Sequence, residues 1–198
     1  MENELPLNTI APNTPLTVEE LIFRNSAQFA LPASEWEKKT YQEIIALPRV
    51  TVTRPPKDQL LALDMVEYDC HTNCAAQEAN DLTKSSHHVF GWMVLGSDLI
   101  LHSVVKIGSQ WFCLTPQLVE LASRFEYIPD PLIEWCSSGD GRSREPYRSG
   151  VRLPDALRKH PERHIKMHGE LLRLIASGLP VIEARDKVAA TFRRPIGD

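Results

Sequence analysis

No stretch of the 198-residue chain is apolar for long enough to cross a bilayer. The opening segment, MENELPLNTIAPNTP, is acidic and polar, and it lacks the basic-then-apolar pattern of a secretory leader. These two absences predict a soluble, cytoplasmic protein. Cysteine is sparse, with four residues, and a reducing compartment predicts free thiols rather than disulfides. Glycine is outnumbered by proline, nine against 15, which points to rigid connections and many loops. No internal repeat is present, which argues against solenoid and propeller architectures.

What remains is sufficient for one medium domain with an appendage. Hydrophobic residues make up 42% of the chain, enough to build a core. The net charge of -4 conceals an asymmetry. From Arg142 onward there are 13 Lys/Arg against 7 Asp/Glu, a balance of +6, while the rest carries 9 against 19, a balance of -10. A basic tail on an acidic body can dock an acidic partner, or the two can neutralise each other.

Local signals divide the chain into an irregular N-terminus (1–15), an α+β core domain (16–136), a flexible loop (137–150) and a basic helical extension (151–198). Thr17 followed by Glu20 is a capping box, and it opens a helix with an apolar face at Val18, Leu21, Ile22 and Phe29. Ser34 opens a second helix that ends before Pro48. RVTVT reads as a strand ended by two prolines. A third helix runs from about Asp69 to Asn80. Three β-rich runs follow, HVFGWMVL, DLILHSVVK and QWFCLT, joined by Gly96-Ser97 and Gly108-Ser109. Glycine at the first central position suits a type II′ two-residue turn, so the three runs form an antiparallel meander. PQLVELASRF reads as a helix, YIPDPLIEW as extended chain, and CSSGDGRSREPYRSG as loop. PDALRKH, PERHIKMHGELLRLIASG and PVIEARDKVAATF read as helices, with Pro161 and Pro180 at their starts and Gly178 as a C-cap.

The turns fix a register. Ile107 faces Gln110, Val104 faces Cys113 and His102 faces Thr115 across one turn. Leu95 faces Asp98 and His102 faces Gly91 across the other. A glycine inside a strand weakens it unless something must come close, and here it leaves space above His102. Asp69 caps a helix whose first turn holds Cys70, and a thiol at a helix N-terminus meets the positive end of the macrodipole, which favours the thiolate. A strand-borne histidine facing such a thiol can take and return its proton, and the backbone N–H groups of the helix start can stabilise an oxyanion.

The order CHTN (Cys70 to Asn73), GW (Gly91, Trp92), HSVV (His102 to Val105) and LTP (Leu114 to Pro116) resembles small papain-like or transglutaminase-like cysteine proteins over roughly Asp69 to Asp130. The resemblance implies a papain-like α+β core: a cysteine-bearing helix packed on an antiparallel meander of three or more strands, here with N-terminal helices and a helical C-terminal extension. It also implies a Cys-His pair. Cys70 is then the nucleophile and His102 its base. The strand after His102 offers no carboxylate or asparagine, so Thr115, Cys113 or Gln117 is the candidate to orient the ring, with Thr115 and Gln117 preferred. Asn73, Gly91 and Trp92 are the candidates to meet substrate. The expected activity is thiol-dependent acyl transfer on a peptide or an amide-bearing small molecule, as in a peptidase, amidase or deamidase, with no cofactor and no membrane partner.

Other readings stand beside this one. In the main alternative, Cys70 and His102 are core residues of a non-catalytic binding or regulatory module of the same fold, whose basic helical tail docks an acidic partner. Cys74 shares the helix face of Cys70 and is either core or the nucleophile of a helix that starts at Thr72, and Cys113 reads as a core or loop thiol. Cys70, His71, Cys74, His87, His88 and His102 are zinc-ligand types, but Cys-x3-Cys followed by His-His gives no standard pair of knuckles. His71 points away from Cys70. Cys136 reads as a core or loop thiol. His160, His164 and His168 recur every four residues on a face expected to be solvated. Trp92, Trp111 and Trp135 either line a cleft or fill the core. A nucleic-acid role for the tail is disfavoured by the acidic total and the lack of interleaved aromatics.

Overall fold

The computed structural model describes residues 17–117, 122–137 and 144–192. The chain is mixed α+β and divides into two compact units: residues 33–160, and a second unit formed by residues 1–32 with 161–198.

The larger unit begins with α2 (Glu35–Ile45), β1 (Val50–Thr53), α3 (Lys57–Ala62) and α4 (Cys70–Asn80). The strands β2 (Ser86–Leu95), β3 (Asp98–Ile107), β4 (Gln110–Phe112) and β5 (Arg124–Pro129) follow. β6 (Ile133–Ser137), β7 (Arg144–Arg148), β8 (Val151–Arg152) and β9 (Ala156–Arg158) complete it. The predicted meander is β2-β3-β4. Leu95 pairs with Asp98, Gly91 with His102 and Ile107 with Gln110, as the turn positions require. Gly96 and Gly108 carry φ values of 61° and 58°, the left-handed backbone that the first turn position demands.

Pairings distant in sequence then close the meander. β5 runs antiparallel to both β2 and β1, β1 runs parallel to β4, and β2–β3 completes a five-stranded ring. β9 adds to β3 outside the ring, and β6-β7-β8 form a separate antiparallel sheet. Strand alternation gives the ring two faces. Val52, Val104, Cys113 and Tyr127 fill the inside. Trp92, Leu99 and Ile128 face outward and pack with Tyr41 and Ile44 of α2 and with Leu153 and Leu157. Gly91 stands where β5 crosses most closely. A Cβ there would meet the Ile128 carbonyl oxygen and would stand 2.8 Å from the Tyr127 hydroxyl. The space expected above His102 is therefore filled by Tyr127.

Several local expectations give way to long-range pairing. Ala156–Arg158 is a strand rather than a helix, because Leu99 pairs with Leu157 and Glu37 locks Arg158. The Glu37 carboxylate accepts from the Arg158 backbone N–H at 3.0 Å, from Nε at 2.9 Å and from Nη2 at 2.7 Å. The expected loop over 137–150 contributes β7, which pairs with β6 from Ile133↔Arg148 to Ser137↔Arg144. The helix expected over PQLVELASRF falls partly on 118–121, outside the described residues, and its end, Arg124 and Phe125, opens β5.

The second unit holds α1 (Val18–Phe29), α5 (Pro161–Ala176) and α6 (Val181–Thr191). The Thr17–Glu20 capping box is formed, with the Thr17 N–H 2.8 Å from the Glu20 carboxylate and the Glu20 N–H 3.2 Å from the Thr17 hydroxyl. Leu171, Leu174, Ala184 and Val188 make its core. The helical extension expected from residue 151 thus begins at Pro161 and gathers α1 to itself. The histidine face of α5 is half-buried rather than solvated. His168 Nδ1 shares a 2.5 Å hydrogen bond with the Ser26 hydroxyl, and the His164 ring lies 5.7 Å from that of Phe29. No helix among the described residues is long and apolar enough to cross a membrane.

Candidate active site

α4 opens as the sequence predicts. The Asp69 carboxylate accepts from the Thr72 N–H at 3.1 Å, so Cys70 is the first helical residue. Tyr68, just before the cap, holds a left-handed φ of 59°. That backbone is uncommon for a bulky residue, and a 3.3 Å hydrogen bond from its N–H to the Pro116 carbonyl helps to hold it. Cys70 is half-buried and Cys74, one turn on, is buried. Burial raises the Cys74 pKa, and Cys70 and Cys113 are near enough to raise it further.

Asn73 fastens this turn to the barrel. Its side chain accepts from the Val66 N–H at 2.8 Å and donates to the carbonyls of Val66 at 2.8 Å and Leu114 at 2.9 Å. Both of its amide hydrogens are thereby committed, so Asn73 acts on the fold rather than presenting a free amide to a ligand. Trp92 is fully buried, and its indole donates to Asp130 at 3.1 Å. Asp130 in turn accepts from Arg148 at 2.9 Å, and Arg148 reaches Glu43 at 2.7 Å. Trp92 therefore belongs to the outer core, as Gly91 belongs to the strand crossing. Buried pairing of Arg148 and Arg158 also removes two cations from the basic surplus past Arg142.

His102 is 5% exposed. Its Nε2 lies 3.3 Å from the Cys113 sulfur, and its ring is edge-on to Phe125 at 6.1 Å. The hydrogen-bond partner of the ring is thus Cys113, not Cys70 and not Thr115. The ladder between β3 and β4 ends at Val105↔Phe112, after which the Cys113 N–H donates to the Thr53 carbonyl of β1 at 2.9 Å. Thr115 consequently leaves the position opposite His102. It is 1% exposed, and its hydroxyl has no hydrogen-bond partner among the described residues. Gln117 is half-buried at the end of the same segment.

A second polar group lies on the outer face of β2 and β3. The buried Ser103 hydroxyl shares hydrogen bonds with His71 Nδ1 at 2.6 Å and His88 Nε2 at 2.8 Å. Trp135 meets the His71 ring at 4.1 Å and Phe90 meets His88 at 4.2 Å. Burial lowers both imidazole pKa values to about 4, against the partial opposition of Asp69 and Asp155 at His71 and of Glu78 at His88. His88 is lowered further by His71. The two rings are therefore neutral near pH 7. The register contained the signal for half of this group: Phe90 pairs with Ser103, which sets His88 diagonal to Ser103 on one face.

Among the described residues, no three His, Cys, Asp or Glu side chains stand close enough together to hold a metal ion. No protein-family model matches the chain, and no curated protein or solved structure matches it.

Proposed function

We propose that the chain is a thiol-dependent acyl-transfer enzyme acting on a peptide or another amide, built on a papain-like core of α4 and the β2-β3-β4 meander. One observation carries the reading. A half-buried cysteine is the first residue of a capped helix, and that helix packs against the strand bearing a buried histidine. Cys70 Sγ attacks the amide carbonyl carbon and its proton passes to His102. The leaving amine takes that proton as the C–N bond breaks, and water then hydrolyses the thioester. His102 Nε2 is engaged by Cys113, and in the tautomer whose Nε2–H donates to the sulfur, Nδ1 is the basic nitrogen. Of the three orienting candidates, Thr115, Cys113 and Gln117, this reading gives the role to Cys113. Among the described residues no hydrogen bond joins the resting ring to Cys70, so in this reading the thiol closes on Nδ1 when substrate binds, a tightening common in catalytic sites.

The test is acylation by p-nitrophenyl acetate, followed as release of p-nitrophenolate and mapped by mass spectrometry. Stoichiometric acetylation of Cys70, abolished in Cys70→Ala, supports the reading. Acetylation spread over lysines and unaffected by Cys70→Ala refutes it.

A second reading rests on the same bond. His102 and Cys113 are both buried and satisfied by each other, which favours a binding or regulatory module in which they are core and the C-terminal helices meet an acidic partner. Indifference of Cys70 to the ester, in a folded protein, favours this alternative.

A further inference from the structure

Thr115 is a candidate site residue whose buried hydroxyl has no hydrogen-bond partner among the described residues. A buried hydroxyl without a partner costs about 1–3 kcal/mol, and such groups in native folds call for an explanation. Two hydrogen bonds bracket it. Asn73 Nδ2 donates to the carbonyl of Leu114 at 2.9 Å, and the Tyr68 N–H donates to the carbonyl of Pro116 at 3.3 Å. Both partners flank Cys70 in sequence, so the backbone on either side of Thr115 is tied to the start of α4. The orienting role is already filled by Cys113.

We infer that Thr115 is the side-chain donor to the carbonyl oxygen of the group attacked at Cys70. The inference rests on Cys70 being the nucleophile. As the Sγ–C bond forms, the carbonyl π pair moves onto oxygen. The Thr115 hydroxyl donates a hydrogen bond to that oxygen and keeps its own proton. The pair returns to carbon as the leaving group departs with the proton carried by His102. A donor used only at this stage is silent in the resting protein and stabilises the tetrahedral species.

Two reagents separate this role from a merely structural one. Attack on p-nitrophenyl acetate passes through an oxyanion, whereas alkylation by iodoacetamide displaces iodide at a saturated carbon and forms none. Thr115→Val and Thr115→Ala are expected to slow acetylation of Cys70 about tenfold or more, with alkylation of the same thiol changed less than twofold. Thr115→Ser is expected to retain acetylation. Thermal unfolding supplies a further readout, since Thr115→Val removes an unpaired buried hydroxyl and should hold or raise Tm. Equal loss of acetylation and alkylation would assign Thr115 to access or packing and overturn the inference. Acetylation unchanged in Thr115→Val would overturn it alone, leaving Cys70 as nucleophile. Absence of acetylation in the wild type would remove the thiol reading and this inference together.

Discussion

Gly91→Ala tests the closure that positions His102. The added methyl would approach the Ile128 carbonyl oxygen more closely than real Cβ atoms come to backbone, and would stand 2.8 Å from the Tyr127 hydroxyl and 2.9 Å from its ring carbon Cζ. Only the Tyr127 contacts involve a side chain, and that side chain is locked. Its single hydroxyl hydrogen is shared between the carbonyls of Val89 and His102, each at 3.0 Å. Relief therefore requires β5 to move away from β2, across the pairs Gly91↔Pro129, Trp92↔Ile128 and Met93↔Tyr127. Overpacking costs about 1–3 kcal/mol, and loosening the shared buried hydrogen bond adds about 1 kcal/mol. The expected loss is about 2–4 kcal/mol, a large part of the stability of an ordinary domain. Urea unfolding followed by tryptophan fluorescence is the assay. All four tryptophans, Trp36, Trp92, Trp111 and Trp135, lie within residues 33–160, so the signal reports this unit. The midpoint should fall with little change in the slope m. A loss below about 1 kcal/mol would refute the packing argument. Tyr127→Phe combined with Gly91→Ala should not rescue the unit, because the backbone contact with Ile128 remains.

Asn73→Ala strips three hydrogen bonds and leaves the Val66 and Leu114 groups unpaired. Urea unfolding should show a loss of about 2–4 kcal/mol, and a loss under 1 kcal/mol would mean that water replaces the side chain. His71 and His88 predict an acid-side decline. Their folded pKa values near 4 lie below the ordinary 6.5, so the unfolded chain takes up protons first as pH falls. Their stabilisation is complete above about pH 6.5 and is lost between 6.5 and 4. The ceiling is about 3 kcal/mol for His71, with a smaller share from the more exposed His88. Unfolding midpoints measured from pH 7 to pH 4 should show a shallower decline in His71→Gln than in wild type. Identical slopes would contradict the assignment.

Much of the helical start and turn chemistry was legible because its partners are near in sequence. Thr17, Ser34 and Asp69 cap helices through bonds spanning three residues, and the glycine turns set the meander register. The ring closure was not legible. The β1–β4 and β1–β5 pairings join segments some 60 to 75 residues apart, and no local pattern encodes them. Ala156-Leu157-Arg158 has helical propensity, yet Leu99 and Glu37 overrule it. At the site, register placed Cys113 opposite Val104 and hence diagonal to His102. The partner of the imidazole is thus one of the three candidates that the sequence offers, although the ideal register sets Thr115, not Cys113, directly opposite His102. Departure of the chain from the ladder after Phe112 could not be read locally, because it depends on contacts with Thr53 and Asn73.

The most direct test of the central claim is the rate of Cys70 alkylation by iodoacetamide against pH, with every modified cysteine mapped by mass spectrometry, in wild type and His102→Ala. Pairing of Cys70 with His102 predicts selective labelling of Cys70 at pH 6, ahead of the exposed Cys136, falling about tenfold in the variant. Labelling of Cys70 no faster than that of Cys136, with no response to His102→Ala in a folded protein, would contradict it and leave His102 and Cys113 as parts of a core.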